Sequence, residues 1–169
     1  MTLKLRFGQP EDTPLILELV RELAVYEKLA DQVSADEASL KKHLFASRRV
    51  AEVVLAYEGE RCAGFALFFH NFSTFLGKPG LYLEDLFVRP AFRGRGYGKA
   101  LMVFLARIAV ERGCGRFEWS VLDWNAPSLD FYRGLGAVPM SDWTVQRLTG
   151  GALEALARQP AAYAFSESS

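Results

Sequence analysis

The chain has 169 residues, half of them hydrophobic and 24% charged, and its 20 Lys and Arg residues are balanced by 20 Asp and Glu residues. This length predicts a single domain that buries a core of its own, and the composition excludes an intrinsically disordered chain. The zero net charge argues against a protein whose main partner is nucleic acid.

Several features of the sequence indicate a cytoplasmic protein. No apolar run approaches the roughly 20 residues of a membrane span, and the segment Met1–Phe7 lacks the long apolar stretch of a signal peptide. The two cysteines, Cys62 and Cys114, have no CxxC spacing and no clustered histidines. We therefore expect no disulfide framework, no metal and no membrane partner.

The first half of the chain predicts a strand, two helices and a hairpin, in that order. Asp12 is placed to cap the first helix, whose apolar residues recur with helical spacing. Ser34 and Glu37 fit a capping box before the second helix. The turn signal Glu58-Gly59-Glu60-Arg61 joins two β-rich runs. The expected elements are strands at 3–7, 50–57 and 62–70, a helix beginning near residue 13 and a second helix ending near residue 45.

The second half alternates strands and helices around a glycine-rich turn, Arg93–Gly98. Gly136 is placed to end the last helix, and from Arg158 onward the chain becomes polar and rich in small residues, as expected of a loose tail. The expected elements are strands at 81–88, 116–122 and 143–148, and helices at 99–112 and 127–135. The order predicts an α/β (α+β) fold with a mixed sheet of about six strands, in one domain over 1–157 followed by a tail over 158–169.

The turn Arg93-Gly94-Arg95-Gly96-Tyr97-Gly98-Lys99-Ala100 lies between a predicted strand and a predicted helix. Glycines allow backbone amides to crowd together, and the helix N-terminus adds free donors and the positive end of its dipole. This arrangement predicts a phosphate or diphosphate site. Side chains that would add positive charge are Arg89, Arg93, Arg95 and Lys99. A Walker A loop is excluded because Arg93 replaces its first glycine, and a dinucleotide fingerprint is excluded because Lys99 replaces its third.

This R-x-x-G-x-G turn, together with four other segments, resembles the GNAT superfamily of N-acetyltransferases, in its diamine (spermidine/spermine) and thialysine acetyltransferase branch. The other segments are 22–27 (ELAVYE), 81–88 (LYLEDLFV), 121–125 (VLDWN) and 131–133 (FYR). The resemblance implies a GNAT-like fold, with a mixed, mostly antiparallel central sheet of six to seven strands and about four flanking helices. It also implies acetyl-CoA as the co-substrate, without a metal, and a homodimer.

The resemblance further implies roles for individual residues. The backbone of Leu86–Val88 would pair with the pantetheine arm of acetyl-CoA, and backbone groups of Gly94–Lys99 would bind its diphosphate. The implied cofactor contacts are Leu86, Phe87, Val88, Arg93, Gly94, Arg95, Gly96, Tyr97, Gly98, Lys99, Asn125, Ser128 and Tyr132. The implied catalytic pair is Glu84 and Tyr132, and the implied substrate contacts are Tyr26, Glu27, Phe75, Glu84 and Asp85.

Acetyl transfer to an amine requires a base, because an alkylammonium with a pKa of about 10 must lose a proton before it attacks a thioester. Glu84 would act through a water, since partial burial on a strand with two apolar faces would raise the pKa of its carboxyl; a structural ion pair is the alternative. Alternation places Asp85 on the other face, as a substrate contact or a structural acceptor. Tyr132, two turns beyond Asn125, could protonate the departing thiolate. Neither cysteine has a visible base beside it, so direct attack in a ternary complex is favoured over a covalent intermediate.

The loop at 72–75 bears on which amine is used. Polyamine-type members of the family carry an acid followed shortly by Trp where this chain has Ser73 and Phe75, which favours a shorter, lysine-like amine while leaving diamines and polyamines open. Two other functions also stay open: acetylation of a protein N-terminus or lysine, and a non-catalytic acyl-CoA-binding regulatory role. The aromatic loop and the acid Glu27 favour a closed, cation-receiving site over a peptide groove.

Overall fold

The structure, a computed structural model, describes residues 2–159. Its contacts divide the chain into two units, Met1–Leu122 and Asp123–Ser169, and the expectation of one domain over 1–157 stays a prediction. The first unit contains β1 (Leu3–Phe7), α1 (Thr13–Tyr26), α2 (Glu37–Phe45), β2 (Glu52–Glu58), β3 (Arg61–Ser73), β4 (Lys78–Val88), α3 (Tyr97–Glu111) and β5 (Arg116–Trp119). The second contains α4 (Ala126–Gly134) and α5 (Gly150–Ala157). Within 2–159, no helix has the length and apolar character needed to cross a bilayer.

One sheet runs through the first unit, with the strand order β1-β2-β3-β4-β5. The first four strands are antiparallel neighbours, and β5 runs parallel to β4. The β2–β3 hairpin turns at Gly59, which lies in the left-handed region at φ 61°. The expected mixed, mostly antiparallel sheet is confirmed, with five strands and five α-helices over 2–159 where six to seven and about four were expected.

Two of the buried clusters in the described chain hold helices of the first unit to the sheet. The larger one joins α1 and α2 to β2, β3 and β4, and it comprises Ile16, Leu19, Leu23, Leu44, Val53, Leu55, Cys62, Phe65 and Phe87. In the second cluster Tyr97, the first residue of α3, packs with Ala63 and Phe92. These contacts fix the end of α1 and the start of α3 beside the end of β4, because Phe87 belongs to one cluster and Val88 packs against the other.

The first helix begins where the sequence indicates, but Asp12 does not cap it. Asp12 occupies the N-cap position of α1 without accepting a hydrogen bond from that helix. Its carboxylate accepts hydrogen bonds from both terminal nitrogens of Arg6, at 2.7 and 2.8 Å, and from the amide of Gln9 at 2.7 Å. Two charged hydrogen bonds from one guanidinium stabilise a carboxylate more than one helix amide does. The carboxylate of Asp12 therefore binds Arg6 and does not cap α1.

The capping box of α2 lies two residues later than expected. Asp36, and not Ser34, is the N-cap, and its carboxylate accepts the amide of Ser39 at 2.7 Å. The hydroxyl of Ser39 accepts the amide of Asp36 in return, at 3.2 Å. Glu37 is therefore the first residue of the helix, where its negative charge interacts favourably with the positive end of the helix dipole.

The second unit differs from expectation at two places. Residues 143–148, expected as a final strand, form none, since a β-favouring segment becomes a strand only where a neighbouring edge supplies hydrogen bonds. The helix α5 is not among the expected helices, because Gly150 and Gly151 at its start are poor helix formers. Of the tail expected from Arg158, residues 160–169 lie outside the described part of the chain.

Candidate functional site

The glycine-rich turn has the backbone conformation that its sequence predicts. Gly94 and Gly96 have φ of 74° and 80°, in the left-handed region that side chains disfavour. A Cβ at either position would meet no atom within 4 Å, so it is backbone conformation and not space that requires glycine here. Gly96 is the N-cap of α3, which begins at Tyr97, two residues before its expected start.

The amides of this turn form the most distinctive feature of the first unit. The first helical hydrogen bond of α3 runs from the amide of Ala100 to the carbonyl of Gly96, at 2.9 Å. In the described chain, no amide from Gly94 to Lys99 donates a hydrogen bond to a protein group. Unpaired amides in succession, at the positive end of a helix dipole, form an anion site suited to phosphate groups. The turn therefore fits a diphosphate.

An open backbone edge leads to this turn. β5 pairs with β4 over Gly80–Leu83 only, and it ends at Trp119, short of the expected residue 122. In the described unit, the remaining residues of β4, Glu84–Val88, have β3 as a neighbouring strand on one side and no strand on the other. The carbonyl of Val88 accepts the side chain of Arg93 at 2.9 Å. Apart from this contact, the open edge of β4 could pair with an extended ligand arm as if with an added strand.

A β-bulge places Glu84 outside the regular ladder. Leu67 of β3 pairs with Asp85, and its neighbour Phe68 pairs with Leu83, so Glu84 is an extra residue without a partner on β3. Partners across an antiparallel ladder share a face, so Asp85 and Leu83 lie on opposite faces of the sheet. The strict alternation predicted from the sequence, which places Leu83 and Asp85 on the same face of the sheet, is wrong at this point. The expected burial of Glu84 is also wrong, since its side chain is exposed.

Asp85, the next residue along β4, is the more buried of the two adjacent carboxyls. Burial and, to a smaller extent, the negative charges of Glu84 and Glu27 together raise the pKa of Asp85 to about 7. Burial also raises the pKa of Glu27, which ends α1. Lys28, in the left-handed conformation at φ 61°, turns the chain away directly after it. The charges of these two partly buried carboxyls, one at the C-cap of α1 and one on β4, interact, and the pair, called the acidic pocket below, would attract a cation.

Aromatic contacts connect this acidic pocket to the glycine turn. The ring of Tyr26, the last residue of α1, lies 6.5 Å from the ring of Phe87. The guanidinium of Arg93 lies 4.6 Å from the centre of the Tyr26 ring and 5.7 Å from that of Phe87. The pocket for a cation and the site for an anion therefore lie at the same end of the sheet.

Two of the four cations expected around the phosphate site have other partners. Arg89 forms ion pairs with Glu18 and Glu22 of α1 and donates to the carbonyl of Cys62. Arg95 forms an ion pair with Glu58. Because each of these two guanidiniums binds carboxylate, its role toward phosphate stays a prediction, as does that of the backbone of residue 95. Lys99 is exposed and, among residues 2–159, forms no ion pair.

Comparison with known proteins decides the family. A sequence profile of the Acetyltransferase (GNAT) family matches residues 17–137, which span the acidic pocket, the open edge of β4 and the glycine turn. The chain belongs to the GNAT acetyltransferase family. Acetyltransferases of this family use acetyl-CoA.

Relatives of this acetyltransferase act on small amines, as their names state. The chain is 36% identical over 164 residues to thialysine N-epsilon-acetyltransferase of Bos taurus, covering 90% of this chain and 96% of that protein. It is 32% identical over 198 residues to L-ornithine N5-acetyltransferase of Arabidopsis thaliana, covering 90% and 87%. A solved structure of an integron cassette protein of V. cholerae has a TM-score of 0.80 and 28% identity, covering 94% of this chain and 99% of that one.

Three of the residues expected at the cofactor lie in the second unit of this acetyltransferase. Asn125 is the N-cap of α4, and its side-chain oxygen accepts the amide of Ser128 at 3.3 Å. These two residues therefore stabilise a helix start as well as being candidate ligands. Tyr132 lies two turns further on, with its ring 5.2 Å from that of Phe131. Their roles toward acetyl-CoA stay predictions.

Phe75 is not brought together with the acidic pocket. It is fully exposed, between the end of β3 and the start of β4. Ser73 is six residues along β3 from Leu67, the partner of Asp85, which corresponds to about 20 Å of strand. Ser73 is itself buried and accepts the amide of Leu76 at 3.3 Å, so its hydroxyl serves the turn.

One residue at the site has no signal in the sequence. The sequence identifies Glu58 only as part of a hairpin turn. In the structure its carboxylate binds both Arg95 and Tyr97 of the glycine turn. It is 39 residues before Tyr97, and no local spacing connects the two. Such a contact arises when β2 and α3 come together in the fold, and only the structure reveals it.

Proposed function

We propose that this GNAT acetyltransferase transfers the acetyl group of acetyl-CoA to the primary amine of a small molecule, by direct attack in a ternary complex. The observation that carries the proposal is the run of unpaired amides over Gly94–Lys99 at the same end of the sheet as the acidic pocket of Glu27 and Asp85. One feature suits a diphosphate and the other an ammonium. A transferase needs both together, whereas a sensor of acyl-CoA needs only the first.

Residues on two elements would hold acetyl-CoA. The open edge of β4 at Leu86–Val88 would accept the pantetheine arm, and the amides of Gly94–Lys99 would accept the diphosphate. Asn125 and Ser128, at the start of α4, are proposed as further contacts. Arg93 would have to leave the carbonyl of Val88 for the arm to pair there. When bound, acetyl-CoA supplies an activated acetyl group as its thioester.

Proton transfers would follow from the positions of the carboxyls. An ammonium in the pocket favours the ionised form of Asp85, because an opposite charge lowers a raised carboxyl pKa. Asp85 and Glu27 would then hold the substrate cation, with Tyr26 beside them. Glu84, exposed at the bulge, would accept the proton of the amine through a water. Tyr132 is proposed to donate a proton to the CoA thiolate as it leaves.

We propose a lysine-like amine, such as thialysine, as the substrate class, ahead of diamines and polyamines. The thialysine relative and the L-ornithine relative are both named for an amino acid with a side-chain amine. The hydroxyl of Ser73, where polyamine-type members carry an acid, is already used in its own turn. A long polycation therefore loses one carboxylate partner. We further propose that the enzyme is cytoplasmic and homodimeric.

Release of CoA with a panel of amines tests the proposal directly. The panel consists of thialysine, L-lysine, L-ornithine, spermidine and a lysine-containing peptide, each with acetyl-CoA. We expect the highest kcat/KM with one of the three amino acids. Turnover of the peptide alone would identify a protein acetyltransferase, and binding of acetyl-CoA without turnover of any amine would identify a non-catalytic acyl-CoA-binding protein.

Acetyl-CoA at 100 times its Kd should stabilise the protein by about 2.7 kcal/mol, which corresponds to a rise in Tm of roughly 5–10 °C. Substituting Gly96→Ala should reduce this rise, because a left-handed alanine strains the turn that presents the amides. Gly113→Ala is the matched control. Gly113 follows the other end of α3 with φ 69°, and a Cβ there also meets no atom within 4 Å.

Both variants should lose about 1 kcal/mol of stability without ligand, since each forces a side chain into the same backbone region. Differential scanning fluorimetry with and without acetyl-CoA separates the two effects. A ligand-induced rise that is equally large in the Gly96→Ala and Gly113→Ala proteins would count against the glycine turn as the acetyl-CoA site.

A further inference from the structure

Glu58, at the end of β2, makes the contacts of a clamp on the glycine turn. Its side chain is only 11% exposed. Its two carboxylate oxygens accept hydrogen bonds from one terminal nitrogen of Arg95, at 2.9 and 2.8 Å, and one of them also accepts the hydroxyl of Tyr97. Arg95 and Tyr97 flank Gly96, the N-cap of α3. Glu58 thus binds the turn on both sides of its left-handed glycine.

The partners of Glu58 are themselves fixed. The second terminal nitrogen of Arg95 donates to the carbonyl of Ala91 at 3.2 Å, and its guanidinium lies 5.6 Å from the centre of the Phe92 ring. Tyr97 is 9% exposed and belongs to the cluster with Ala63 and Phe92. The clamp therefore ties the turn to the sheet and to the short helical segment before it.

The turn needs such support for two physical reasons. Glycine loses more conformational freedom on ordering than any other residue, and two glycines here must hold left-handed conformations. Amides that converge also repel one another, and α3 has no side chain that caps its first turn. The hydrogen bond from Tyr97 and the ion pair with Arg95 hold the pKa of Glu58 below its usual range, so its carboxylate stays charged behind the turn.

We propose that Glu58 is a positioning residue that preorganises the amides of Gly94–Lys99 for the diphosphate of acetyl-CoA. The inference rests on the proposed function, since it concerns how the same anion site is held. Glu58 touches the turn through Arg95 and Tyr97 and has no part in the chemistry. Its effect should therefore appear in the affinity for acetyl-CoA and not in the chemical step.

Glu58→Gln is the primary test, because glutamine keeps the shape and removes the charge. We expect KM for acetyl-CoA to rise about fivefold to tenfold, since ordering of the turn then has to occur on binding. We expect kcat and KM for the amine to stay within about twofold, a split that general destabilisation would not produce. Tyr97→Phe, which removes only a hydroxyl, should shift KM for acetyl-CoA in the same direction.

The chain offers a matched control at the other end of the same two elements. Glu52, at the start of β2, binds both terminal nitrogens of Arg112, which directly follows α3. Glu52→Gln therefore removes an equivalent carboxylate, and an equivalent link between β2 and α3, far from the turn. Its KM for acetyl-CoA should equal that of the wild-type enzyme.

The outcomes separate this inference from the proposed function. If the wild-type enzyme acetylates an amine but KM for acetyl-CoA is unchanged in Glu58→Gln, or is raised equally in Glu52→Gln, the positioning role is overturned and the proposed function stands. If Glu58→Gln fails to fold, Tyr97→Phe decides by the same criterion. A wild-type protein that does not bind acetyl-CoA would overturn both.

Discussion

Replacing Glu84 by glutamine should lower kcat/KM for amine acetylation by about 10²- to 10⁴-fold at pH 7, the range typical of a lost general base. The loss should shrink as the pH rises toward the amine pKa of about 10, because free amine then forms in solution without help. Below neutral pH the loss should be greatest. Measuring kcat/KM for both enzymes from pH 6 to 9.5, at saturating acetyl-CoA, tests this directly.

Asp85→Asn distinguishes a base at Glu84 from a general effect of removing negative charge near the amine. Asp85 is proposed to bind the ammonium, so this variant should mainly raise KM for the amine, with a smaller fall in kcat. A loss in Glu84→Gln that is the same at every pH would remove its role as the base. A larger loss of kcat in Asp85→Asn than in Glu84→Gln would transfer that role to Asp85, whose pKa of about 7 suits a base at neutral pH.

The site was predictable from the sequence where its chemistry is local. The glycine turn could be predicted because Arg93, Gly94 and Gly96 lie within four residues. The residues that need a left-handed backbone are therefore also close together in the sequence. The acidic residues Glu84 and Asp85 could also be named, since they adjoin on one strand. Their environments could not be predicted, because a period of two assumes an unbroken ladder. One extra residue beside Leu67 interrupts the ladder at Glu84, whose side chain is exposed, while Asp85 next to it is partly buried.

The errors in the fold predicted from the sequence have the same origin. Residues 143–148 contain β-favouring residues such as Trp143 and Val145, but a strand also needs a partner strand, and no local pattern specifies one. Asp12 sits at a helix start and still binds Arg6 of a neighbouring strand. Glu58 is the strongest case, since its three hydrogen bonds all cross from β2 to the turn before α3. The contacts of each of these side chains are made with residues far away in the sequence, and a short stretch of sequence does not contain those residues.

Asp85→Asn should stabilise the protein at pH 8 and leave its stability unchanged near pH 4. The carboxyl has an ordinary pKa of 3.8 in the unfolded chain and about 7 in the folded protein. Below about pH 4 it is protonated in both states and costs nothing. Between about pH 4 and pH 7 the unfolded state loses its proton while the folded state retains it, so the free energy of unfolding falls as the pH rises. Above pH 7 the full penalty is present, about 4 kcal/mol, because each pKa unit between 3.8 and about 7 corresponds to 1.36 kcal/mol.

Urea unfolding of wild type and Asp85→Asn at pH 4 and pH 8 measures this difference, with Asp31→Asn as a control because Asp31 is exposed on the first unit. Asp31→Asn measures, at each pH, the effect of removing a negative charge from an exposed position. The penalty at Asp85 is the part of folding free energy that an ammonium substrate would recover, so a cationic amine should stabilise wild type more at pH 8 than at pH 5. If the gain from Asp85→Asn were the same at both pH values, Asp85 would have no raised pKa, and attraction of the amine would depend on Glu27 and Glu84.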